Sequence, residues 1–358
     1  MKICFLEGDM SRRGGTERMT AMLANALQGT HEIWIISLQL KGKESFFELN
    51  KEVHHMVLPK YKGRLTILKQ MKYIHHLIKK ENIDWIINVD VGIGFYGILA
   101  AKGTKTKVIT WEHGNYYNNW GSRIFPYLRK FAVKYSDAMV LLTERDKQNY
   151  QSNIKMNTPI YVIANPMKKH DFTYDINSKV ILSAGLLLPI KGFDKAIQVA
   201  AKVLPKYPQW KWVICGEGPE RSNLELMIKE FHLDEQVFLP GSIQNMDREY
   251  QKAAIYVMTS EREGLPMVLL EAKSWGLPIV SFDIMTGPSD IIRDGVNGYL
   301  VEPYDIDGMA DKIENLVKHQ EIRQLISEFS QLDMEKFDFE NILEKWEWIM
   351  EDKRETVN

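Results

Sequence analysis

Cysteine is scarce in this sequence, and long apolar runs are missing from it. Only Cys4 and Cys215 occur among 358 residues, whereas a disulfide framework or a zinc site needs more cysteines at closer spacing. We therefore expect two reduced, buried thiols. The longest apolar run of the first half, Val91 to Ala101, has 11 residues, and a membrane-spanning helix needs about 20. The N-terminal apolar stretch stops at Glu7 and Asp9, which predicts a first β-strand rather than a signal peptide, and hence a cytoplasmic protein.

Neither sign of charge is in excess overall, but the two halves differ. Up to Asn165 there are 24 Lys and Arg against 14 Asp and Glu, and the remainder has 22 against 33. In a chain too long for one average domain, this asymmetry predicts two domains with different partners. The basic half favours an anionic surface or ligand. No nucleic-acid recognition motif accompanies the basic residues, so nucleic acid is not an expected partner.

Short apolar runs alternate with stretches of helical spacing in both halves, which predicts parallel sheets covered by helices on both faces. The expected fold class is α/β, with two doubly wound Rossmann-like domains that face a central cleft. The predicted strands are Ile3–Leu6, Ile33–Leu38, Trp85–Val89, Val108–Trp111, Ala138–Leu142, Ile160–Ile163, Val180–Ala184, Trp212–Cys215, Val237–Leu239, Ile255–Thr259, Pro278–Phe282 and Tyr299–Val301. Helices are predicted at Thr16–Leu27, Leu65–Lys80, Ile124–Tyr135 and Phe339–Glu351.

The domain boundaries follow from one break in this rhythm. Asn165-Pro166 opens a polar stretch without periodicity, and proline disfavours helix at the residue before it. We therefore predict an N-terminal domain over 1–165, a linker over 166–178 and a C-terminal domain over 179–335. The segment 336–358 is expected to be a helix that packs back towards the N-terminal domain. In such sheets, ligands bind beyond the carboxyl ends of the strands.

The most specific string is EGLPMVLLEAKSWGLPIVS, which runs from Glu263 to Ser281. Pro266 suits the first turn of a helix, where its missing N–H costs nothing. The backbone N–H groups around this proline would face outward at a helix N-terminus, an arrangement suited to a diphosphate. Glu263 precedes the helix and Glu271 lies about two turns away, so one carboxylate can meet a sugar while the other meets a ribose.

This string resembles the signature of glycosyltransferase family 4, whose members are retaining enzymes of the two-domain GT-B fold. The resemblance extends over most of the chain through several further strings in a fixed order. These are GGTERMTAMLANAL (14–27), WEHGN (111–115), AGLLLPIKGFD (184–194), CGEGPER (215–221), FLPGSI (238–243) and GPSDIIRDGVNGYLVEP (287–303).

The resemblance implies roles for particular residues, with acceptor binding in the N-terminal domain and nucleotide-sugar binding in the C-terminal one. It assigns catalysis to His113, beside the donor sugar, to Glu263, and to Lys191, which holds the leaving diphosphate. The donor-binding residues it implies are Gly14, Gly15, Gly216, Glu217, Gly264, Leu265, Pro266, Met267, Val268 and Glu271. Leu186 departs from the family, which usually has an arginine there; Lys191 and the helix termini suffice without it, or another base such as Arg262 or Arg12 substitutes.

The implied reaction moves a sugar from a nucleotide sugar, with UDP favoured over GDP, to a glycan or polyprenyl-linked acceptor of surface polysaccharide. No DxD string stands where a metal would be needed, because Asp305-x-Asp307 lies at a helix start and is typical of capping. We therefore expect neither a metal nor a cofactor. With retention, the leaving phosphate is expected to accept the acceptor's proton, and Glu263 to position the sugar.

Residues 60–80 carry seven basic side chains and no acidic one, with Ile67, Met71, Ile74 and Ile78 at helical spacing. Such a helix can lie on an anionic membrane, which would place the protein on the inner face of the cell membrane. Alternatively, its apolar stripe packs on the sheet and its lysines are solvated. The aromatic-rich segment 116–130 could add an interfacial contact or line the acceptor cleft.

Two other functions fit the same fold. A nucleotide-sugar epimerase would share the nucleotide site without needing an acceptor. A non-catalytic nucleotide-sugar-binding partner subunit is favoured only by Leu186. An NAD-dependent dehydrogenase is disfavoured, because no GxGxxG with an acidic residue about 20 positions further on follows the first strand.

Overall fold

The computed structural model describes residues 1–61 and 65–351, and the chain divides into two compact units. Unit 1 comprises Met1–Pro166 together with the C-terminal segment from Phe339. Unit 2 comprises Met167–Asp338. Each unit has its own sheet and core and is described by itself.

Unit 1 contains a parallel sheet of seven strands in the order β3-β2-β1-β4-β5-β6-β7. The central strands are buried on both faces, which explains their nearly continuous apolar sequences. The strands are β1 (Lys2–Glu7), β2 (Glu32–Ser37), β3 (His54–Val57), β4 (Trp85–Val89), β5 (Lys107–Trp111), β6 (Ala138–Leu141) and β7 (Ile160–Val162).

Helices connect these strands and cover the sheet of unit 1. They are α1 (Gly15–Leu27), α2 (Thr66–Lys80), α3 (Val91–Ala101), α4 (Phe125–Tyr135), α5 (Glu144–Asn153) and the C-terminal helix, α13 (Phe339–Met350). The C-terminal helix packs on this unit through two tryptophans of the sheet. Trp85 Nε1 donates to the Met350 carbonyl at 3.0 Å, and the Trp111 ring meets the Trp346 ring edge-on at 5.0 Å.

Unit 2 repeats the design with six parallel strands in the order β10-β9-β8-β11-β12-β13. Its strands are β8 (Val180–Ala184), β9 (Lys211–Cys215), β10 (Val237–Gly241), β11 (Ile255–Met258), β12 (Ile279–Phe282) and β13 (Gly298–Val301). Its helices are α6 (Phe193–Val203), α7 (Arg221–Glu230), α8 (Asp247–Lys252), α9 (Met267–Ser274), α10 (Pro288–Ile291), α11 (Ile306–Lys318) and α12 (Gln320–Glu328).

The segment that opens unit 2 has no regular structure but packs closely on it. Tyr174 donates its hydroxyl to the Ala254 carbonyl at 2.8 Å. The His170 ring stacks on Trp275 at 4.2 Å. These contacts attach residues 167–178 to unit 2 rather than leaving them as a free tether.

The prediction of two Rossmann-like sheets is confirmed, with strand ends within one or two residues of those expected. Several elements were not singled out from the sequence, among them α5, the half-exposed edge strand β3, and α3, whose continuous apolar sequence shows no amphipathic period. Both cysteines are buried and free, as expected. Asp305 accepts from Gly308 N at 2.8 Å, which confirms the predicted cap. Within 1–61 and 65–351, no helix combines the length and apolarity needed to cross a membrane.

Candidate active site

The loops that follow β8 and β11 in unit 2 meet, because these two strands are neighbours in the sheet. Lys191 follows β8, Glu263 follows β11, and Lys191 Nζ lies 2.7 Å from Glu263 Oε1. Their side chains are 25% and 14% exposed, so the pair is half-buried at the carboxyl edge. The structure therefore brings together two of the three residues that sequence analysis assigned to catalysis.

Backbone contacts hold the two loops in register around this ion pair. Glu261 N donates to the Ile190 carbonyl at 2.9 Å, and Thr259 Oγ1 donates to the Lys191 carbonyl at 3.3 Å. Gly192 has φ +64°, and a Cβ there would run into the Thr259 carbonyl. Only glycine permits both this conformation and this close approach, so Lys191 is presented by a turn that other residues would disrupt.

Helix α9 begins at Met267, after a short turn that leads from Glu263. Pro266 is its N-cap, and the first intrahelical bond runs from Leu269 N to the Pro266 carbonyl at 3.0 Å. The N–H groups of Met267 and Val268 therefore stand at the open end of the helix, where the backbone favours an anion. The preceding Gly264 and the buried Leu265 complete the turn from Glu263 into the helix.

The loop after β12 supports this turn from the other side. Thr286 Oγ1 donates to the Glu263 carbonyl at 2.6 Å. Gly287 lies directly against Pro266, where a Cβ would collide with the proline ring. Sequence analysis did not single out Thr286 as a supporting residue, although it lies one position before the GPSDIIRDGVNGYLVEP string.

A buried tyrosine fixes the carboxylate of Glu271 in helix α9. Tyr250 donates its hydroxyl to Glu271 Oε2 at 2.8 Å. Burial, with the negative charge of Glu271 next, raises the pKa of Tyr250 and of its neighbour Tyr256 well above the usual value. Tyr250 therefore stays protonated and orients Glu271 as a hydrogen-bond acceptor. Sequence reasoning missed Tyr250, because 21 residues and a strand separate it from Glu271.

The glycine-containing loop after β9 is joined to the loop after β8 by a backbone hydrogen bond. Leu187 N donates to the Glu217 carbonyl at 2.9 Å, and Gly216 N donates to the Gly241 carbonyl at 2.9 Å. Arg221 binds the Glu217 side chain at 2.6 Å and lowers the pKa of that carboxyl. Leu186 is 57% exposed at this edge, where the resemblance leads one to expect an arginine.

In unit 1, His113 follows β5 and packs against Trp111, with the two rings 4.1 Å apart. Burial lowers the pKa of His113 to about 3, so its imidazole is neutral near pH 7. Its Nε2 is buried and has no hydrogen-bond partner among the described residues. This ring can therefore donate or accept a hydrogen bond without adding charge.

The loop that carries His113 rests on a buried polar network that sequence analysis did not predict. Glu112 accepts from Gly114 N at 2.9 Å and from the Tyr150 hydroxyl at 2.9 Å. The Arg129 Nε lies 3.9 Å from Glu112 Oε2, and both side chains are buried. Burial, and then the nearby Asp90, raise the pKa of Glu112, and Arg129 opposes this rise. The sequence holds one indication of this network: Glu112 is a charged residue directly after the buried strand β5.

Gly14 and Gly15 begin α1 after the first strand, as the resemblance requires. The Glu17 carboxyl folds back beside Gly14 and accepts from its own backbone N–H, and Arg12 Nε lies 3.4 Å from it. A carboxylate of the chain itself thus already faces this helix N-terminus.

Two family models together match nearly the whole chain: Glycosyltransferase Family 4 over residues 13–168 and Glycosyl transferases group 1 over residues 167–332. An uncharacterized glycosyltransferase of Haemophilus influenzae is 33% identical over 358 residues, covering 98% of this chain and 99% of the relative. The chain belongs to this glycosyltransferase family.

Two further relatives carry more specific names. A Campylobacter jejuni protein named GalNAc-alpha-(1->4)-GalNAc-alpha-(1->3)-diNAcBac-PP-undecaprenol alpha-1,4-N-acetyl-D-galactosaminyltransferase is 28% identical, covering 97% of each chain. A solved structure of a Staphylococcus aureus TarM variant with fondaparinux, alpha-GlcNAc-glycerol and UDP has a TM-score of 0.70 and 26% identity. It covers 78% of this chain, which in turn covers 58% of TarM. The fold of the present glycosyltransferase is therefore GT-B.

Within this glycosyltransferase, unit 2 brings together Lys191, Glu263, the open end of α9 and Glu271. His113, Gly14 and Gly15 belong to unit 1. In the part of the chain that the structure describes, no three His, Cys, Asp or Glu side chains gather as metal ligands.

Proposed function

We propose that this glycosyltransferase is a retaining, metal-independent enzyme that transfers a hexose or N-acetylhexosamine from a UDP-sugar. The proposed acceptor is a glycan or polyprenyl-linked glycan of bacterial surface polysaccharide, met at the cytoplasmic face of the membrane. One observation carries the proposal: the Lys191–Glu263 pair lies beside the open N-terminus of α9, with Glu271 held by Tyr250 in the same helix. The UDP complex of TarM and the undecaprenol-linked substrate named for the Campylobacter relative support the donor and acceptor classes.

Each group in unit 2 then has a defined role towards the donor. The N–H groups of Met267 and Val268 and the Lys191 ammonium bind the diphosphate, whose negative charge grows as the glycosidic bond breaks. Glu271, which the Tyr250 hydroxyl orients, accepts from the ribose hydroxyls. Glu263 accepts from the hydroxyls of the donor sugar and stays oriented by Lys191.

The reaction breaks the bond between the anomeric carbon and the phosphate oxygen and forms one to the acceptor oxygen on the same face. The acceptor's proton passes to a phosphate oxygen, and UDP leaves. Positive charge develops on the sugar ring during this exchange. His113, neutral because of its burial, serves as a hydrogen-bonding partner of the sugar and not as a cation.

The test is release of UDP or GDP from a panel of nucleotide sugars in EDTA, with and without lipid extracted from bacterial membranes. We expect release of UDP that needs the lipid and that falls about 100-fold or more in Glu271→Ala. Tyr250→Phe should reproduce part of this fall as a higher KM for the donor, because Glu271 keeps its charge but loses its orientation. Nucleotide binding without release under every condition would overturn the proposal in favour of a partner subunit.

Arg262 is proposed to replace the guanidinium that is missing at Leu186. The other cations at this edge of unit 2 are ion-paired: Lys191 with Glu263, Lys195 with Glu261, and Arg221 with Glu217. Arg262 is exposed and has no ion-pair partner among residues 1–61 and 65–351. We expect Arg262→Gln to raise the KM for the UDP-sugar about tenfold, because a charge-assisted contact to the diphosphate is lost.

The double variant Arg262→Gln/Leu186→Arg decides whether the two positions share this role. Recovery of the donor KM would support the exchange of one arginine for the other. Arg248, exposed on α8, provides a matched control, and Arg248→Gln should leave the donor KM unchanged. An equal donor KM in wild type and Arg262→Gln would refute the role of Arg262.

Helix α2 is proposed to make a peripheral contact with an anionic membrane. Residues 62–64 of the predicted 60–80 segment lie outside the described residues. The second half of α2 packs into the core through Ile74, Leu77 and Ile78, in line with the alternative that its apolar stripe covers the sheet. The first half does not: Ile67 and Leu68 are exposed beside Lys69 and Lys72. Only this end of the helix is available to a bilayer.

A further inference from the structure

Helix α9 contains a lysine that is almost completely buried. Lys273 lies in the last turn of this helix, and only 2% of its surface is exposed. Lysine side chains are rarely buried to this extent unless a carboxylate pairs with them. In the part of the chain that the structure describes, however, the Lys273 ammonium forms neither a hydrogen bond nor an ion pair. It is therefore a buried cation without a direct partner.

The Lys273 amine carries its charge near pH 7. Burial lowers its pKa to about 8, and the negative charge of Asp333 opposes this decrease. Because most of the side chain is shielded from water, the ammonium is poorly solvated. A buried ammonium in this state is stabilised when an anion binds to it.

The segment after α12 brings further charged side chains to the last turn of α9. Gln331 Nε2 donates to the carbonyl of Ser274, the residue after Lys273, at 2.7 Å. This bond fixes the segment on the helix. Asp333 and Lys336 follow within five residues, and the charges of both act on the Lys273 ammonium. The three side chains are therefore neighbours.

Asp333 belongs to an ion-pair cluster in which positive charge is in excess. Its Oδ2 lies 2.8 Å from Arg293 Nη2 and 3.5 Å from Lys336 Nζ. Arg293 follows α10, so the cations come from three separate segments of unit 2. We call Lys273, Arg293, Lys336 and Asp333 the basic cluster. Exposed Glu335 also acts on Lys273, but less strongly than the members of the cluster.

The basic cluster has the chemistry of a phosphate site. The side chains of Arg293 and Lys336 are more than half exposed, so an anion can reach them from solvent. A phosphate group offers several acceptor oxygens at once, and it matches guanidinium and ammonium donors that come from different directions. A carboxylate offers only two oxygens and a single charge. Three cations around one internal carboxylate therefore favour phosphate.

We propose that the basic cluster binds a small phosphate anion, at the opposite end of α9 from the proposed donor site. Arg293 and Lys336 meet the anion from the surface, and Lys273 supplies the buried positive charge. Asp333 competes with the anion for the same cations. Bound phosphate thus compensates the charge of Lys273 and links the last turn of α9 to residues 331–336. The inference is independent of the proposed function, because no member of the cluster is assigned to the donor.

The test is titration of the full chain with inorganic phosphate, measured by calorimetry at constant ionic strength with saturating UDP. UDP fills the diphosphate site, where Lys191 would otherwise bind phosphate as well. In wild type the melting temperature should rise by about 3 °C at a tenfold excess of phosphate over Kd. Lys273→Met should weaken phosphate binding about tenfold or more, because a charge-assisted contact is lost. The same variant should melt at a higher temperature than wild type without phosphate, since methionine removes the unpaired buried charge.

Asp333→Asn tests the basic cluster in the opposite direction. Asp333 has φ +62°, and asparagine tolerates this left-handed conformation, so the fold should be kept. Loss of the internal carboxylate should strengthen phosphate binding about tenfold, because the cations no longer share their charge with it. Lys229→Met, which removes an exposed charge from α7, is the matched control and should leave phosphate binding unchanged.

Several outcomes would overturn the proposal. They are absence of phosphate binding in wild type, wild-type affinity in Lys273→Met, and acetate that binds as tightly as phosphate. If Lys273→Met does not fold, Arg293→Gln decides instead, since this exposed position should also weaken phosphate binding about tenfold. If the chain neither binds UDP nor transfers sugar, the titration is made in Lys191→Met without UDP. Phosphate binding that depends on Lys273 would then sustain the site and leave the proposed function refuted on its own.

Discussion

Replacing Lys191 with methionine is expected to lower kcat about 1,000-fold, because the ammonium that we propose to bind the leaving diphosphate is lost. The Lys191 Nζ lies 2.7 Å from Glu263 Oε1 in a half-buried setting. Its removal therefore has a second effect: the Glu263 carboxylate loses the compensating charge of Lys191 and repels the incoming diphosphate. We expect the KM for the donor to rise together with the fall in kcat, and steady-state kinetics of UDP release measures both.

The double variant Lys191→Met/Glu263→Gln separates these two effects. Because the carboxylate charge is also removed, donor binding should recover towards the wild-type value, whereas kcat should stay low. The two substitutions are therefore expected to be non-additive in KM. Strict additivity would show that Lys191 and Glu263 act on the donor independently, contrary to their direct ion pair.

Lys202 provides the matched control for Lys191. It lies in the last turn of α6, the helix whose first turn follows Lys191, and it forms an exposed ion pair with Asp307. Lys202→Met removes the same charge at the far end of the helix that follows Lys191, and it should leave kcat and the donor KM unchanged. A comparable loss in both variants would attribute the effect to folding rather than to the diphosphate.

The fold could be predicted from the sequence because both sheets are parallel and buried on both faces, so their strands read as short apolar runs. Two of the elements that were not predicted, β3 and α3, were missed for physical reasons. Strand β3 lies at the sheet edge, and because it begins with His54 and His55 it lacks the apolar run by which the other strands were predicted. Helix α3 is almost uniformly apolar because it packs between α2 and α4, so its sequence has no polar face to set a period.

The candidate site could be predicted only where its residues are close in the sequence. Glu263, Pro266 and Glu271 fall in one string, and the structure has Glu263 before α9, Pro266 as its N-cap and Glu271 within it. Tyr250 and Arg129 escaped because they act across the fold: Tyr250 reaches α9 from α8, and Arg129 reaches from α4 to the loop after β5. A single sequence carries no signal of such pairings.

Buried charged and polar side chains support the loop that carries His113. Arg129 donates to three acceptors of this loop and lies beside Glu112. The Tyr150 hydroxyl of α5 donates to the Glu112 carboxylate. Buried polar networks of this kind are costly when one member is lost, because the remaining groups cannot reach water. The stability of unit 1 and the placement of His113 should therefore depend on the same residues.

Replacing Arg129 with methionine is expected to lower the free energy of unfolding of unit 1 by about 3–5 kcal/mol, because Glu112 is left buried without a counter-charge. For a unit of this size the melting temperature should fall by about 10 °C. Urea denaturation followed by circular dichroism measures the change. Lys130→Met, which removes the neighbouring exposed charge of α4, should have little effect.

The pH dependence of this loss identifies Glu112 as its cause. Burial already raises the pKa of Glu112 in the folded state, and loss of Arg129 raises it further. A group whose pKa is raised by folding stabilises the fold while it is protonated, and this contribution disappears as pH rises through the folded pKa. The deficit of Arg129→Met should therefore be larger at about pH 8.5 than at about pH 5.5. In Arg129→Met/Glu112→Gln, part of the stability should return and the pH dependence of the deficit should shrink to the share of Asp90, whose pKa Arg129 also lowers. A deficit of equal size at both pH values would mean that Arg129 acts through its hydrogen bonds to residues 115–119 and not through Glu112.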